Sequence, residues 1–443
     1  MAYLKRKIDK YLKEWKESDL KKPLIIKGAR QIGKTSSILH FADNNYDSVV
    51  YINFVDEPQY KEIFANGYNT ESVIKNITLI NQKVKIIPGK TLIIFDEIQE
   101  YPDAMTSLKF FSLDGKYDVI CSGSLLGINY KNVTSISVGY KIDYKMNSLD
   151  FEEFLWAKGY TESQVNEFYT YLEEKKPFSD LQYNILKTLW KEYLVVSGMP
   201  EAVARYVENN LFTDIDNILL QIIEDYKTDM RKYATGFDKM KLLNTYLSAV
   251  AQLGEENKKF QISKIKSGAR SKDYMPCIEW LCDTGILVRS FAIKNLEFPL
   301  KANIDISKYK LYFADSGILL YSLDKESKDD IIIKNNQSTY KGGVYENIIA
   351  EALYKSGVEL YYYKKEDSTL EEDFITRDND SIVPIEVKSK IGTSKSLRAL
   401  IDGDKYKNIK YGIKIEESNI SFENKILTIP HFATFMLKKC LVR

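Results

Sequence analysis

The sequence predicts an α/β chain of several domains. A parallel sheet with helices on both faces stands at the N-terminal end, a helical and then winged-helix-like stretch in the middle, and a second α/β domain at the C-terminal end. Three observations carry the prediction. Short apolar runs alternate with helical stretches from residue 23 to about 150, the pattern of a parallel sheet crossed over by helices. Gly28-Ala29-Arg30-Gln31-Ile32-Gly33-Lys34-Thr35 stands between one such run and a helix, the placement that a phosphate-binding loop of the form G-x-x-x-x-G-K-[ST] requires. Near the other end, Ile385-Glu386-Val387-Lys388 has the period-two alternation of a strand. A chain of 443 residues is too long for one hydrophobic core, and its changes of pattern set expected domains at 1–150, 151–255, 256–305 and 306–443.

Over the first 22 residues Leu4, Ile8, Tyr11, Leu12 and Trp15 recur at helical spacing among lysines, which predicts an amphipathic helix beside the first strand. A helix lying on a membrane surface is the sharper alternative, and acidic residues that interrupt its basic face count against it. Strands are expected at Leu24–Ile26, Val49–Phe54, Thr91–Phe95 and Tyr117–Ser122.

After the first strand, the glycines free backbone N–H groups to wrap phosphates. Gly28, Ala29, Arg30, Gln31, Ile32, Gly33, Lys34, Thr35 and Ser36 are then the contact residues, with Lys34 reaching the β and γ phosphates and Thr35 holding Mg²⁺. A glycine turn opening a surface helix is the plainer alternative. In Thr91-Leu92-Ile93-Ile94-Phe95-Asp96-Glu97 an apolar run buries a central strand and two acids emerge at its end. Asp96 is suited to bind Mg²⁺ and Glu97 to orient and polarise an attacking water, unless the pair only caps a helix. The run Tyr117 to Ser124 reads as a further strand ending in small polar residues. Ser122 or Ser124 then contacts the γ phosphate or the water, or caps the next helix.

Residues 150 to 255 are dominated by helical periodicity, broken at Ser197-Gly198-Met199-Pro200. From 260 to 300 the chain reads as a helix from Ile262, a second over Met275–Leu281, and a strand at Ile286-Leu287-Val288. With Lys264, Lys266, Arg270 and Lys272 nearby, this winged-helix pattern either binds DNA or is a connector with a solvated basic face. A charged stretch near Ser327–Asp330 and a helix from about Gly343 to Ser356 come next, then strands near Leu360–Tyr363, Asp373–Thr376 and Ile382–Lys388.

Lys+Arg 63 against Asp+Glu 62 leaves a net charge of +1, which gives no global pull toward nucleic acid or anionic membrane. Cys121, Cys277, Cys282 and Cys440 form no C-x-x-C, and only His40 and His431 accompany them, which disfavours a Cys/His zinc site. The first residues lack the apolar core of a signal peptide, and no apolar stretch approaches spanning length. The expectation is a cytoplasmic protein with no membrane partner.

Several segments form a combination more specific than any one of them. They are Lys27 to Thr35, Phe95-Asp96-Glu97-Ile98-Gln99, Ser122-Gly123-Ser124-Leu125-Leu126, Leu149-Asp150-Phe151-Glu152-Glu153-Phe154-Leu155, Gly198-Met199-Pro200-Glu201, Lys310 to Gly317 and Glu386-Val387-Lys388-Ser389. Together they resemble the bacterial and archaeal AAA-type ATPases that carry a restriction-endonuclease-like C-terminal domain of unassigned role. The resemblance runs over nearly the whole chain. It implies ATP and Mg²⁺ as cofactors, ATP binding by Gly28 to Thr35, metal and water roles for Asp96 and Glu97, and a sensor role around Ser122 to Ser124. The chain departs from it at Val138-Gly139-Tyr140-Lys141, where some relatives carry a Gly-Arg pair. An arginine finger, worth ~10³-fold or more in rate, must then come from elsewhere or be replaced by Lys141.

In the C-terminal domain Glu386 and Lys388 share one strand face while Ile385 and Val387 share the other. Glu346 on the preceding helix, then Asp373, then Glu386-Val387-Lys388 follow the order of a PD-(D/E)xK nuclease core. There Asp373 and Glu386 would bind Mg²⁺ with help from Glu346, and Lys388 would orient the attacking hydroxide. The plainer alternative is a solvated same-face ion pair worth less than about 1 kcal/mol. Three functions follow: an ATPase coupled to a nuclease-like domain, a metal-dependent DNase regulated by ATP, or a nucleotide-gated scaffold with little turnover. Nucleic acid and a second copy of the chain are the candidate partners.

Overall fold

The computed structural model describes residues 3–124, 137–233, 239–255, 259–323 and 341–441, so the expectations at Leu125, Leu126 and Ser327–Asp330 lie outside the described residues. The chain divides into two compact units, one built on Met1–Ser148 and one on the residues from Leu149 onward.

The first unit is organised around a five-stranded parallel sheet of β1 (Leu24–Lys27), β2 (Ser48–Asn53), β3 (Thr91–Asp96), β4 (Asp118–Gly123) and β5 (Ile142–Lys145), in the order β2-β3-β4-β1-β5. Every residue of β3 is buried, as its apolar run requires. Phe54, Phe64, Phe95, Tyr101 and Phe111 form an aromatic cluster on one face, with the Phe54 and Phe95 rings 5.8 Å apart. The register pairs Lys27 with Gly123 and Asn53 with Asp96, so the strands end along one edge. Ligands of open parallel sheets bind at that edge.

β5 is a strand that the sequence does not announce. Ile142-Asp143-Tyr144-Lys145 is short, alternates with charge and is only half covered, and it becomes a strand because β1 offers it an unpaired edge. The N-terminal helix Lys7–Glu17 buries Ile8, Leu12 and Trp15, and the Trp15 ring lies 6.4 Å from that of Phe41 in the helix Lys34–Asn45. Its apolar stripe is thus covered by the unit's own core rather than offered to a membrane surface. Among the described residues no helix is long and apolar enough to cross a membrane.

The second unit begins with helices Phe151–Ala157, Glu162–Glu173, Asp180–Val196, Pro200–Asn209, Thr213–Tyr233 and Lys239–Gly254. It continues into an eight-stranded mixed sheet of β6 (Leu287–Ile293), β7 (Ile304–Phe313), β8 (Tyr361–Lys364), β9 (Glu371–Asp378), β10 (Ser381–Val387), β11 (Gly412–Glu416), β12 (Ser421–Glu423) and β13 (Ile426–Pro430). The order is β12-β13-β11-β10-β9-β8-β6-β7, with β8, β9 and β10 antiparallel in turn and β11 parallel to β10.

In the stretch 256–305, expected to be winged-helix-like, a helix is followed by β6, which pairs antiparallel with β7. Ile262–Lys264 is a single 3₁₀ turn, the helix that follows is Ser271–Asp283, and β6 pairs in parallel with β8. Phe291, Ala292 and Ile293 need partners on their open side, and Tyr361, Tyr362 and Tyr363 supply them, so the connector's strands complete the C-terminal sheet.

Three of the distinctive segments, those around Leu149, Gly198 and Asp315, meet in a buried polar knot of this second unit. Asp315 accepts hydrogen bonds from Ser197 Oγ (2.6 Å) and Gly198 N (3.0 Å) and pairs with Lys355 Nζ at 3.3 Å. Lys355 also donates to Leu149 O (3.0 Å) and Tyr193 Oη (3.1 Å), and Leu149 N donates to Gly198 O (2.7 Å). Gly198 admits no side chain, since a Cβ there would stand 2.1 Å from Leu149 O. These segments are distinctive in sequence because they interlock.

Candidate functional site

The loop that leaves β1 turns through two glycines and one strained residue. Gly28 has φ +154°, Gln31 φ +62° and Gly33 φ +87°. A Cβ on Gly28 would stand 2.2 Å from Met146 O, so the backbone passes too close to the residue after β5 for any side chain. Ala29 and Ile32 are buried, Arg30 and Thr35 are half-buried, and Gln31 and Ser36 are exposed. Arg6, from just before the N-terminal helix, sends its guanidinium beneath the loop and donates to Ile32 O (2.9 Å) and Asn147 O (2.7 Å). No motif marks Arg6, which finds its acceptors only in the folded chain.

Lys34 opens the helix Lys34–Asn45 and is buried, with its ammonium donating to Gly28 O (3.1 Å) and Ala29 O (2.7 Å). An ammonium has three protons, so one is left for a further acceptor. Burial pushes the Lys34 pKa down to about 8, against the pull of the nearby Glu97 and Asp96 carboxylates. A phosphate would return the positive form to favour.

Asp96 at the end of β3 is the hub of the site. Its Oδ2 accepts from Thr35 Oγ1 (2.9 Å) and Tyr51 Oη (2.8 Å), and its Oδ1 accepts from Ser122 Oγ and from Glu97 N (2.9 Å). Four segments far apart in sequence are thereby joined through one carboxylate. Glu97 follows with φ +52°, a left-handed turn that swings its side chain out of line with the strand, and Gln99 Nε2 donates to Glu97 Oε2. Ser122 is committed to Asp96, whereas the buried hydroxyl of Ser124 has no partner among the described residues. Tyr51 belongs to this site but does not stand out in sequence, and Gln99, which the sequence shows only as the end of the segment from Phe95, joins it through Glu97. The parallel register of β2 on β3, which aligns Tyr51 with Ile94, brings Tyr51 to the carboxylate.

Lys141 does not reach the loop. It precedes β5, whose register sets Ile142 against Leu24 at the start of β1, and its ammonium pairs with Asp143 at 2.6 Å. The end of the sheet that carries Lys141 is opposite the end that carries Gly28.

The hard oxygen donors Thr35 Oγ1 and Asp96 Oδ2 suit Mg²⁺, and the narrow backbone cradle at Gly28 with its buried ammonium suits a polyphosphate.

The C-terminal candidates fall differently. Glu371, Asp373, Glu386 and Lys388 line a cleft of about 1130 Å³ in the second unit, and Glu346 does not. Glu346 is buried and pairs with Lys310 Nζ at 2.9 Å, and Tyr312 Oη also donates to it. Asp373 Oδ2 accepts from Val387 N (2.8 Å), and Lys388 Nζ lies 2.7 Å from Glu386 Oε1. Among the described residues no group of three or more His, Cys, Asp or Glu side chains is set to hold a metal ion. The expected trio of Glu346, Asp373 and Glu386 is therefore not gathered, because the buried Lys310 pairs with Glu346. Glu386 Oε2 is buried without a hydrogen-bond partner among the described residues. His431 Nε2 donates to Lys388 O (2.8 Å), and burial pushes its pKa down to about 4, so the ring is neutral near pH 7.

Residues 20–155 match the family model described as an AAA domain. Residues 187–329 and 341–432 match two models described as domains of unknown function, DUF8612 and DUF4143. No curated protein sequence matches the chain. Among solved structures the chain is similar to the Walker-type ATPase PABY2304 of Pyrococcus abyssi, at 13% identity over 72% of this chain and 96% of that one, with a TM-score of 0.42. It is also similar to the RuvB Holliday junction branch migration motor of Thermotoga maritima, at 11% identity over 65% and 90% of the two chains and a TM-score of 0.29. A third is the Orc1 protein of Aeropyrum pernix in complex with DNA, at 9% identity over 74% and 92% and a TM-score of 0.24.

Proposed function

We propose that this chain, whose N-terminal unit is an AAA-type P-loop domain, binds ATP with Mg²⁺ at Gly28–Ser36 and hydrolyses it. The observation that carries the reading is the 2.9 Å hydrogen bond between Thr35 and Asp96, which joins the phosphate loop to the acidic end of β3. Backbone N–H groups of the loop and the Lys34 ammonium would hold the phosphates, and Thr35 with Asp96 would hold the metal. Mg²⁺, when bound, offsets the negative charge on the transferring phosphoryl group. Glu97 orients and polarises the attacking water, and the segment Ser122–Ser124 senses the γ phosphate, Ser122 through its bond to Asp96 and Ser124 through its own hydroxyl. The test is Mg²⁺-dependent ATP hydrolysis by the full chain, expected to be lost in Lys34→Ala and in Glu97→Gln. Calorimetry that detects no ATP binding would sink the reading. Tight ATP binding with a steady-state rate near zero would select the nucleotide-gated scaffold instead.

A second reading concerns the C-terminal cleft. The segment order helix Lys341–Lys355, β8, β9, β10, helix Lys395–Ile401, β11 supports a PD-(D/E)xK-like core, as do Asp373, Glu386 and Lys388 lining one cleft. The unpartnered Glu386 Oε2 favours a cation there, held by Asp373 and Glu386 without Glu346. On this reading nucleic acid is the partner, and Asp373→Ala and Lys388→Ala abolish cleavage while leaving ATP binding intact. Wild-type protein that leaves every DNA and RNA form whole with Mg²⁺ or Mn²⁺ ends it.

A further inference from the structure

Gln99 sits where neither apolar packing nor surface solvation explains it. Its side chain is buried just beyond β3 in the short 3₁₀ turn Ile98–Glu100. One end of the amide, Nε2, donates to Glu97 Oε2. The other, Oε1, is buried with no hydrogen-bond partner among the described residues. A buried carbonyl oxygen left unpaired is a standing cost that stability alone would remove. The amide also depends on the neighbouring strand, because a Cβ on Gly123 at the end of β4 would stand 2.5 Å from Gln99 Oε1 and 3.2 Å from Ile98 Cγ2. Gly123 has no positive φ to account for it. The glycine is needed for space, and the space is filled by Gln99.

We propose that Gln99 is a positioning residue for Glu97. Its amide fixes the orientation of the carboxylate, and Gly123 is the gap that seats the amide. The proposal rests on the reading of Glu97 as the residue that orients and polarises the attacking water. A carboxylate on a left-handed turn has few local restraints of its own, and loss of this bond lets it rotate away from the water it must orient.

The experiment is steady-state Mg²⁺-dependent ATP hydrolysis by the full chain, with ATP affinity measured in parallel by calorimetry and thermal unfolding as a check of folding. Gln99→Met is expected to lower kcat by about tenfold or more, the scale of a misplaced catalytic group, with KM and ATP affinity little changed. Gly123→Ala, which keeps the amide but displaces it, should give a similar loss. The two together should cost no more than either alone. Measured as the residual single-turnover rate of Glu97→Gln, Gln99→Met in that background should have no further effect, a non-additivity that a merely structural role would not produce. Should Gln99→Met fold poorly, Gln99→Asn shortens the amide without removing it and must fall between wild type and Gln99→Met. Wild-type kcat in Gln99→Met, or an additive loss in the Glu97→Gln background, overturns the proposal while leaving the hydrolytic reading intact. A wild-type chain that binds ATP and never hydrolyses it overturns both.

Discussion

Lys34 illustrates how one residue carries both a fold cost and a binding function. Its folded value of about 8 lies below the 10.5 of an unperturbed lysine. Below pH 8 both folded and unfolded chains hold the proton, and the folded state bears the full cost of burying the charge, about 3 kcal/mol from the shift. Between pH 8 and 10.5 the unfolded chain binds the additional proton, so the stability contributed at Lys34 rises with pH and levels off above 10.5. Phosphate binding acts in the opposite direction because it needs the ammonium. ATP affinity is expected to fall as pH rises through about 8, with net proton uptake on binding near that pH. Calorimetry in buffers of different ionisation enthalpy measures that uptake, and Lys34→Arg should abolish it because guanidinium stays charged. The motif made Lys34 legible in the sequence, whereas its depressed pKa comes from burial that only the folded loop imposes.

At the scale of an element, the loop after β1 is held from several directions. Gly28 must lack a side chain because Met146 O would be 2.2 Å from its Cβ. Gly28→Ala is therefore expected to shift the loop and weaken ATP binding on the order of tenfold or more, from ~1–3 kcal/mol of strain. Titration of a fluorescent ATP analogue reads that loss. The N-terminal helix supports the same region, since Leu12 is fully buried and Arg6 reaches under the loop. Leu12→Ala should cost roughly 2–5 kcal/mol, seen as a lowered urea midpoint of the first unit. Helices and central strands were legible because burial on one face writes a periodic pattern. β5 was not, because an edge strand needs only a partner's free hydrogen-bonding groups and leaves little pattern in its side chains. Local spacing placed the helix and the strand of the winged-helix-like stretch but left part of the strand's pairing unread. One edge of β6 pairs with the adjacent β7, but the other pairs with β8, dozens of residues away, and local spacing cannot report that second pairing.

Across the whole chain, the segments that read as a signature divide into two kinds. Those around Gly28, Asp96 and Ser122 meet at one carboxylate, in a site suited to phosphate chemistry. Those around Leu149, Gly198 and Asp315 meet at Lys355 in the interior of the second unit, where they hold its helices to its sheet. The Lys355 side chain is only 2% exposed and faces both Glu351 and Asp315. Lys355→Met should destabilise this unit by about 3–5 kcal/mol, since two buried acids lose their cation. Adding Glu351→Gln should recover part of that loss, as denaturant unfolding of both variants would read out. Without a structure, both kinds of segment look equally functional.

What the sequence alone determined is the phosphate loop between a strand and a helix, the acidic end of a buried strand, and the ordered acids of the C-terminal segment. Each is a local arrangement of residue types, and local geometry follows directly from spacing along a helix or strand. What only the tertiary structure decided is which of these groups meet. It brought Tyr51 and Gln99 to the N-terminal site, set Lys141 at the far end of the sheet, and gave Glu346 to Lys310 instead of to Asp373 and Glu386. The reason is physical: a charge buried by folding takes the nearest available partner in space, and that partner is fixed by strand register and packing between residues far apart in sequence.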